Sequence, residues 1–428
     1  MFANLYRNIT LSYGFIKKLF FTFFVLIVYR LGTFIPVIGI NIELLKEYMM
    51  GQSIGGSILN FIDLFSAGSL SQCTLFALGI SPAITASIVM QLAGFSIPAI
   101  EELTKEGEYG KTIINYYTRI LALLLSIFYS IGYAVYLESI PGIVFNPGLG
   151  FKLIFVLSLV AGSMFVMWLG DQIKVLGIGN GSSMIIFAGI VSRFPSYFSK
   201  TVAAVKSGTM SVYIAILILI IFCILTACIV FLEKGDRKIS VHYARRVVGK
   251  KIFGDQNSYI PFKINTVGVM PVIFSSSILN FFLFAFKILS KYAFFAVFLD
   301  FFNYKGPIYN TLLFGLIIFF TYAYTALIFN PGDLAENLKK NGGFIAGIRP
   351  GKQTADFFDY ILVRIGFIGS IYLATLAVLP NIVPVFIPSI PFELGGTSLL
   401  IVVGVALDFI VQIRSYFLEH KYDSFLGK

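Results

Sequence analysis

Residues able to carry acid–base, metal or redox chemistry are scarce in this chain of 428 residues. It has two histidines, His242 and His420, and three cysteines, Cys73, Cys223 and Cys228, whose positions match no metal-ligand or disulfide spacing. We interpret the cysteines as small buried side chains, because they fall inside or beside apolar segments. The sequence therefore predicts no catalytic residue, no metal site and no cofactor.

Two glycine-rich stretches fail as nucleotide-binding motifs. Residues 347–352 contain a lysine, but they lack the spacing of a phosphate-binding loop and the hydroxyl residue that follows its lysine. Residues 177–181 lack the dinucleotide-binding fingerprint. We therefore expect the chain to hydrolyse no nucleotide.

Carboxylates inside apolar segments would mark a proton relay or an ion pathway, and they are nearly missing here. Asp408 is the main exception, and we interpret it as a single carboxylate satisfied by a neighbour. Isoleucines recur instead at i, i+4 spacing, Ile80 with Ile84 and Ile186 with Ile190, which places each pair on one helical face. Such pairs are usually ordinary packing, so on their own they indicate no function.

The elements that must position these residues are membrane helices. The chain is 57% hydrophobic and 12% charged, with a mean hydropathy of +0.88, whereas soluble domains are about one quarter charged. Apolar windows long enough to cross a bilayer predict helices, because lipid offers backbone groups no partner. The ten windows are 19–38, 72–94, 117–137, 150–170, 178–197, 210–232, 265–288, 309–330, 361–380 and 395–415.

Basic residues concentrate on one side of these windows. Most of the 32 lysines and arginines fall in the termini and in alternate connections, and the positive-inside rule makes that side cytoplasmic. Residues 233–263 alone contain eight basic residues, more than topology requires. We therefore interpret 233–263 and 331–360 as docking loops for an anionic partner, such as ribosomal RNA or an acidic protein face.

About thirty residues between the first two windows form neither a simple loop nor a span. Ile58, Phe61, Ile62 and Phe65 have the spacing of one helical face, and residues 66–69 then break the pattern. A stretch this short cannot cross a bilayer, so it predicts a re-entrant or interfacial half-helix over about 57–70. From the residues alone, a helix that merely covers the protein remains an open alternative.

Motifs along nearly the whole chain, from about residue 17 to 415, resemble signatures of the SecY family, the pore subunits of the Sec protein translocase. Because they occur in order and at high density, chance agreement is negligible. The matching stretches are YRLGTFIP (29–36), FALGISP (76–82), GIGNGSS (177–183), RKI (237–239), YARRVVG (243–249), NTVGVMPVIF (265–274), NPGD (330–333), ENLKK (336–340), GGFI (342–345), GIRPGK (347–352) and GGTSLLI (395–401).

The resemblance implies an all-α membrane protein, a channel and not an enzyme, with ten transmembrane helices around a central hourglass pore. Residues 1–205 and 206–428 would be its two pseudo-symmetric, inverted halves. A ring of apolar side chains would narrow the pore, because β-branched side chains shed water yet offer a moving chain no charge or hydrogen bond. The ring positions are Ile80, Ile84, Ile186, Ile190, Ile273 and Ile401.

The resemblance also assigns the parts that open and close the channel. The half-helix matches the family's plug, and its residues are Ile58, Phe61, Ile62, Asp63 and Phe65. Thr85, Gln91 and Ser277 match polar positions of a lateral gate toward lipid, where each hydrogen bond is worth about 0.5–2 kcal/mol. A signal sequence with about ten apolar residues gains roughly 3–6 kcal/mol in lipid, enough to compete with such a gate.

Partners and location follow from the same resemblance. SecE and SecG would flank the two halves, and the SecA ATPase and the ribosome would dock on Arg237, Arg245, Arg246 and Arg349. Signal sequences, nascent polypeptides and the lipid bilayer would be the other partners. The implied location is the bacterial cytoplasmic (inner) membrane, with both termini in the cytoplasm.

Two alternatives remain at this point. An ion-coupled solute transporter also has many helices and inverted repeats, but the scarcity of intramembrane carboxylates and the two long basic loops disfavour it. The second alternative is an accessory SecY paralogue for specialised substrates. The docking loops of this chain keep nearly all of the family's motifs, which weighs against such a paralogue.

Overall fold

The computed structural model describes residues 2–45, 66, 68–243, 246–248, 251–253, 258–265, 267–288, 306–386 and 396–425. Its helices are α1 (Phe2–Gly32), α2 (Ser81–Ser96), α3 (Pro98–Lys105), α4 (Glu108–Glu138), α5 (Leu149–Leu176), α6 (Gly181–Val191), α7 (Phe194–Lys206), α8 (Val212–Lys234), α9 (Met270–Ile288), α10 (Pro307–Ile328), α11 (Pro331–Lys340), α12 (Lys352–Phe386) and α13 (Gly396–Phe425). Its strands are β1 (Asp236–Tyr243), β2 (Arg246–Val248), β3 (Lys251–Phe253), β4 (Ser258–Lys263) and β5 (Gly343–Phe344).

Every apolar window predicted from the sequence overlaps a helix of the structure. Within the described residues, six helices are long and apolar enough to cross a membrane: α4, α5, α8, α10, α12 and α13. The pair α2 and α3, which bends by 101°, makes a seventh candidate if it counts as one span. The multi-pass helical architecture is confirmed, whereas the count of ten spans stays a prediction.

The second window becomes helical later than its apolar run suggests. Residues 72–80 form turns, and α2 begins only at Ser81. Gly79 adopts a positive φ of 54°, which glycine accepts at little steric cost, and Pro82 lies in the first helical turn, where its missing N–H is harmless. These two residues fix where the helix starts and place Ile80 at its N-cap.

The two basic connections, which the sequence predicts as separate extended loops, form one folded unit. Strand β1 pairs antiparallel with β4 and, at its far end, with β5, which gives the sheet order β4-β1-β5. Alternation along β1 buries Ile239 and Val241 in one cluster with Phe262, Leu338 of α11 and Phe358 of α12. We call β1–β5, α11 and residues 352–365 the basic module.

Replacing Phe358 with Ala is expected to loosen the basic module. The ring is fully buried, with its centroid 5.6 Å from that of Phe262, and truncating such a ring costs about 3–5 kcal/mol. Protease added to membrane vesicles should cleave 236–263 faster than in the wild type. Tyr360→Ala, on the exposed side of the same helix, serves as the control, and equal cleavage of both variants would rule out this role for Phe358.

Candidate functional site

The six isoleucines that the sequence singled out lie together in one buried hydrophobic cluster. Their exposed fractions run from 0% for Ile401 to 8% for Ile84. They come from four helices: α2 with its N-cap, α6, α9 and α13. Because α2 and α6 precede residue 206 and α9 and α13 follow it, the cluster joins the two predicted halves of the chain.

Glycines let the helices around this cluster approach closely. A Cβ on Gly181 of α6 would lie 1.8 Å from the carbonyl oxygen of Gly170 in α5. A Cβ on Gly170 would lie 3.4 Å from Cδ1 of Ile185 and 3.6 Å from Cδ1 of Ile80. Gly181 therefore has to be glycine for α5 and α6 to cross at this distance, and Ile80 and Ile185 pack toward α5.

The second half has a comparable contact. A Cβ on Gly404 of α13 would lie 2.3 Å from Cγ1 of Val269, the residue before α9. This contact brings the start of α9 against α13, three residues beyond Ile401. Ile273 and Ile401 thus enter the cluster from helices that touch through a glycine.

Asp408 and its neighbours lie one turn further along α13. In the structure Asp408 is exposed, within electrostatic range of Lys263 and of Glu233. The side-chain amide of Asn265 donates to Glu233 Oε1 at 2.7 Å and to the carbonyl of Gly268 at 3.0 Å. These groups surround the junction between the basic module and α9, outside the isoleucine cluster.

Helices α2 and α4 pack against α9 along what we call the seam. Of the polar residues assigned to it, Thr85 hydrogen-bonds with Tyr129 of α4 and donates to the carbonyl of Ser81 at 3.1 Å. Gln91 Nε2 donates to Ser87 Oγ at 3.1 Å, again within α2, and Ser277 is half-buried on α9. These hydrogen bonds of Thr85 and Gln91 therefore stay on one side of the seam.

Aromatic packing crosses the seam instead. The ring of Phe281 in α9 lies edge-on to Tyr129, with centroids 6.1 Å apart, and 6.0 Å from Phe128. Such aromatic pairs contribute about 0.5–1.5 kcal/mol beyond their burial. Because the Thr85 hydroxyl proton goes to Ser81, the Tyr129 hydroxyl is the donor to Thr85, and this bond orients a ring that contacts α9.

Asn280 lies on α9, one of the helices of the seam, and the sequence analysis did not single it out. Its Oδ1 on α9 and Gln91 Oε1 on α2 are both buried without a hydrogen-bond partner among the described residues. Burying an unsatisfied amide oxygen costs about 1–3 kcal/mol. A lone asparagine in an apolar helix is the one signal that the sequence carries for this position.

The remaining assigned positions lie elsewhere. Ile58, Phe61, Ile62, Asp63, Phe65 and Arg245 fall outside the described residues. Arg237 is exposed on β1, and Arg246 lies on β2. Arg349 is exposed in the turn after β5, between Gly347 and Gly351, both at positive φ. No group of three metal-ligating side chains assembles within the described part of the chain.

Comparison with known proteins places this chain among translocation channels. The SecY family model matches residues 74–410. The protein translocase subunit SecY of Escherichia coli is 41% identical over 421 residues, which cover 96% of this chain and 94% of the relative. A solved protein-conducting channel has a TM-score of 0.67 at 20% identity, with 95% and 93% of the two chains covered. Sec61 in a canine ribosome–channel complex has a TM-score of 0.63 at 19% identity, with the same coverage.

Replacing Gly181 with Val is expected to separate α5 from α6, because the added carbon would overlap the backbone of Gly170. Overpacking of this kind costs about 1–3 kcal/mol or more. Thermal unfolding of the detergent-solubilised protein should move to lower temperature. Gly150→Val, also at the start of a helix but facing open space, is the control, and equal shifts for both variants would contradict the close crossing.

Proposed function

The chain belongs to the SecY family of protein translocases, so it is a protein-conducting channel subunit and not an enzyme, and we propose that its closed barrier is the isoleucine cluster. The observation that carries this proposal is that Ile80, Ile84, Ile186, Ile190, Ile273 and Ile401 are buried together from helices of both predicted halves.

An apolar constriction suits a channel that must pass many sequences. Isoleucine side chains expel water from the constriction. An ion that entered this dry path would lose its hydration shell, and that cost opposes ion passage. Because isoleucine carries neither charge nor hydrogen-bonding groups, a moving polypeptide meets nothing that would retain it. The barrier is therefore held by packing alone, and an inserted chain replaces one set of apolar contacts with another.

The inverted halves 1–205 and 206–428 and the plug over about 57–70 are parts of the same proposal. Both α6 and α13 bring isoleucines into the cluster at corresponding places in the chain order of the two halves. The proposed plug segment would close the part of the hourglass pore next to the isoleucine cluster. Of its described residues, Ser66 and residues 68–70 form turns.

The seam is the proposed lateral gate for hydrophobic segments. Phe281 with Phe128 and Tyr129 would keep it shut by packing, while Gln91 Oε1 and Asn280 Oδ1, which have no hydrogen-bond partner among the described residues, would add no stabilising contact. A hydrophobic segment gains roughly 3–6 kcal/mol in lipid. That free energy is comparable with the few kcal/mol that these contacts supply, so the segment can pass between α2 and α9.

The basic module is the proposed docking surface. Arg237 and Arg349 are exposed on it, as are Lys238, Lys339 and Lys352, and the shared core of the module fixes their relative positions. A rigid cationic surface suits ribosomal RNA or the acidic face of a motor. The solved Sec61 relative was found in a complex with a ribosome. The ribosome, SecA, SecE and SecG are the proposed partners.

Location follows from the same surface. Six helices of the described part are long and apolar enough to span a bilayer, and the chain is a multi-pass membrane protein. The basic module marks the cytoplasmic side under the positive-inside rule. The proposed setting is the bacterial inner membrane with both termini in the cytoplasm.

Replacing Ile190 with Gly is expected to raise the resting ion conductance of reconstituted channels at least several-fold, because water and ions can enter the widened constriction. The measurement is conductance in planar bilayers with SecE and SecG and without substrate. Ile317→Gly removes the same side chain from a buried position in a separate cluster, and should leave conductance close to the wild type. Equal conductance in both variants would remove Ile190 from the barrier.

Reversing the charge at Arg349 is expected to slow SecA-driven translocation by about tenfold or more, because a like charge opposite an acidic surface costs several kcal/mol. Vesicles with matched channel content should be assayed for ATP-dependent protection of a secretory precursor. Lys174→Glu, the same charge change at an exposed site outside the basic module, is the control. Parallel loss of channel content and translocation in Arg349→Glu would indicate a folding role instead.

A further inference from the structure

The turn between the proposed plug and α2 is tied to the scaffold by one tyrosine. The hydroxyl of Tyr133, in α4, donates to the carbonyl oxygen of Leu70 at 2.7 Å. The Sγ atom of Cys73 lies 2.8 Å from the same hydroxyl. Since the hydroxyl proton goes to Leu70, the thiol is the donor of the second contact. All three residues are buried, with exposed fractions of 3% or less.

The backbone around this contact is held in an unusual conformation. Cys73 has a φ of +46°, the only positive φ of a non-glycine residue within the described part of the chain. Its N–H donates to the carbonyl of Leu70 at 3.1 Å, and its own carbonyl accepts from the N–H of Val37 at 2.9 Å. Residues with a Cβ rarely adopt this backbone conformation, and it persists only where the surroundings enforce it. Here Tyr133 and the backbone of Val37 hold Cys73 in place.

Further bonds fix both ends of the same turn. Leu75 N–H donates to the carbonyl of Ile35 at 2.8 Å, and Thr74 N–H donates to the carbonyl of Ser69 at 3.0 Å. On the plug side, a Cβ on Gly68 would lie 3.0 Å from Nη2 of Arg193, at the start of α7. We call residues 68–75 the root.

We propose that Tyr133 is a positioning residue for gating, because it fixes the root, the described segment through which the proposed plug joins α2. The inference rests on the proposed plug function. Loosening the root is expected to make the closed state of the channel less populated.

The test uses Tyr133→Phe in the full chain, reconstituted with SecE and SecG. This variant keeps the ring that packs 5.6 Å from Phe155 and removes only the hydroxyl. Amide hydrogen exchange in peptides covering the root should accelerate roughly five- to tenfold, the effect of about one buried hydrogen bond, with α5 peptides unchanged. Resting conductance and export of a precursor with a defective signal should both rise.

Matched variants separate the role of the hydroxyl from general damage. Tyr117→Phe, on the exposed part of the same helix, should behave as the wild type. Cys73→Ser keeps a donor toward the tyrosine oxygen and should stay near the wild type, whereas Cys73→Ala should resemble Tyr133→Phe in part.

Deleting residues 58–66 distinguishes failure of the inference from failure of the plug assignment. If the deletion relaxes discrimination against defective signals while Tyr133→Phe changes neither discrimination nor conductance, the positioning role is overturned. Unchanged root exchange in Tyr133→Phe would overturn it as well. If the deletion itself leaves discrimination unaltered, the plug assignment fails and the gating role of Tyr133 fails with it.

Discussion

The proposed barrier consists of apolar packing between helices from different parts of the chain, because isoleucine side chains form neither covalent nor ionic bonds. Six isoleucines from α2, α6, α9 and α13 share one buried cluster. Dispersion and water exclusion are non-directional, so such a barrier re-forms after a polypeptide has passed. If salt bridges or hydrogen bonds closed the barrier, each passing polypeptide would have to replace them with polar groups of its own. A channel that passes many different sequences cannot rely on such groups.

The surrounding elements serve this constraint. Glycines at positions 170, 181 and 404 let the helices approach closely enough for the isoleucines to pack in one cluster. Aromatic contacts cross the seam, and the helices on its two sides each contain a buried amide oxygen without a hydrogen-bond partner among the described residues. Exposed basic residues such as Arg237 and Arg349 lie on the folded basic module, outside the cluster, where the proposed partners would dock.

The sequence predicts the helices well and the contacts between them poorly. Long apolar windows are read directly from composition, because backbone in lipid has few alternatives to a helix. The pairing of β1 with β5 joins residues about one hundred positions apart, and two-residue strands such as β5 carry almost no local signal. Asn280 and Tyr133 were missed for the same reason: their importance comes from neighbours distant in sequence. The isoleucine pairs indicated a function only through the family resemblance, since isoleucines at i, i+4 spacing are usually ordinary packing.

The most direct test of the isoleucine barrier is photocrosslinking to a precursor stalled across the membrane. A photoreactive phenylalanine analogue would replace Ile190, Ile273 or Ile401 one at a time, with Ile317, buried in a separate cluster, as the reference position. The translocating chain should crosslink to all three barrier positions and not to position 317. Crosslinks at position 317 as strong as those at 190, 273 and 401, or no crosslinks at those three positions, would show that polypeptides do not pass through this cluster.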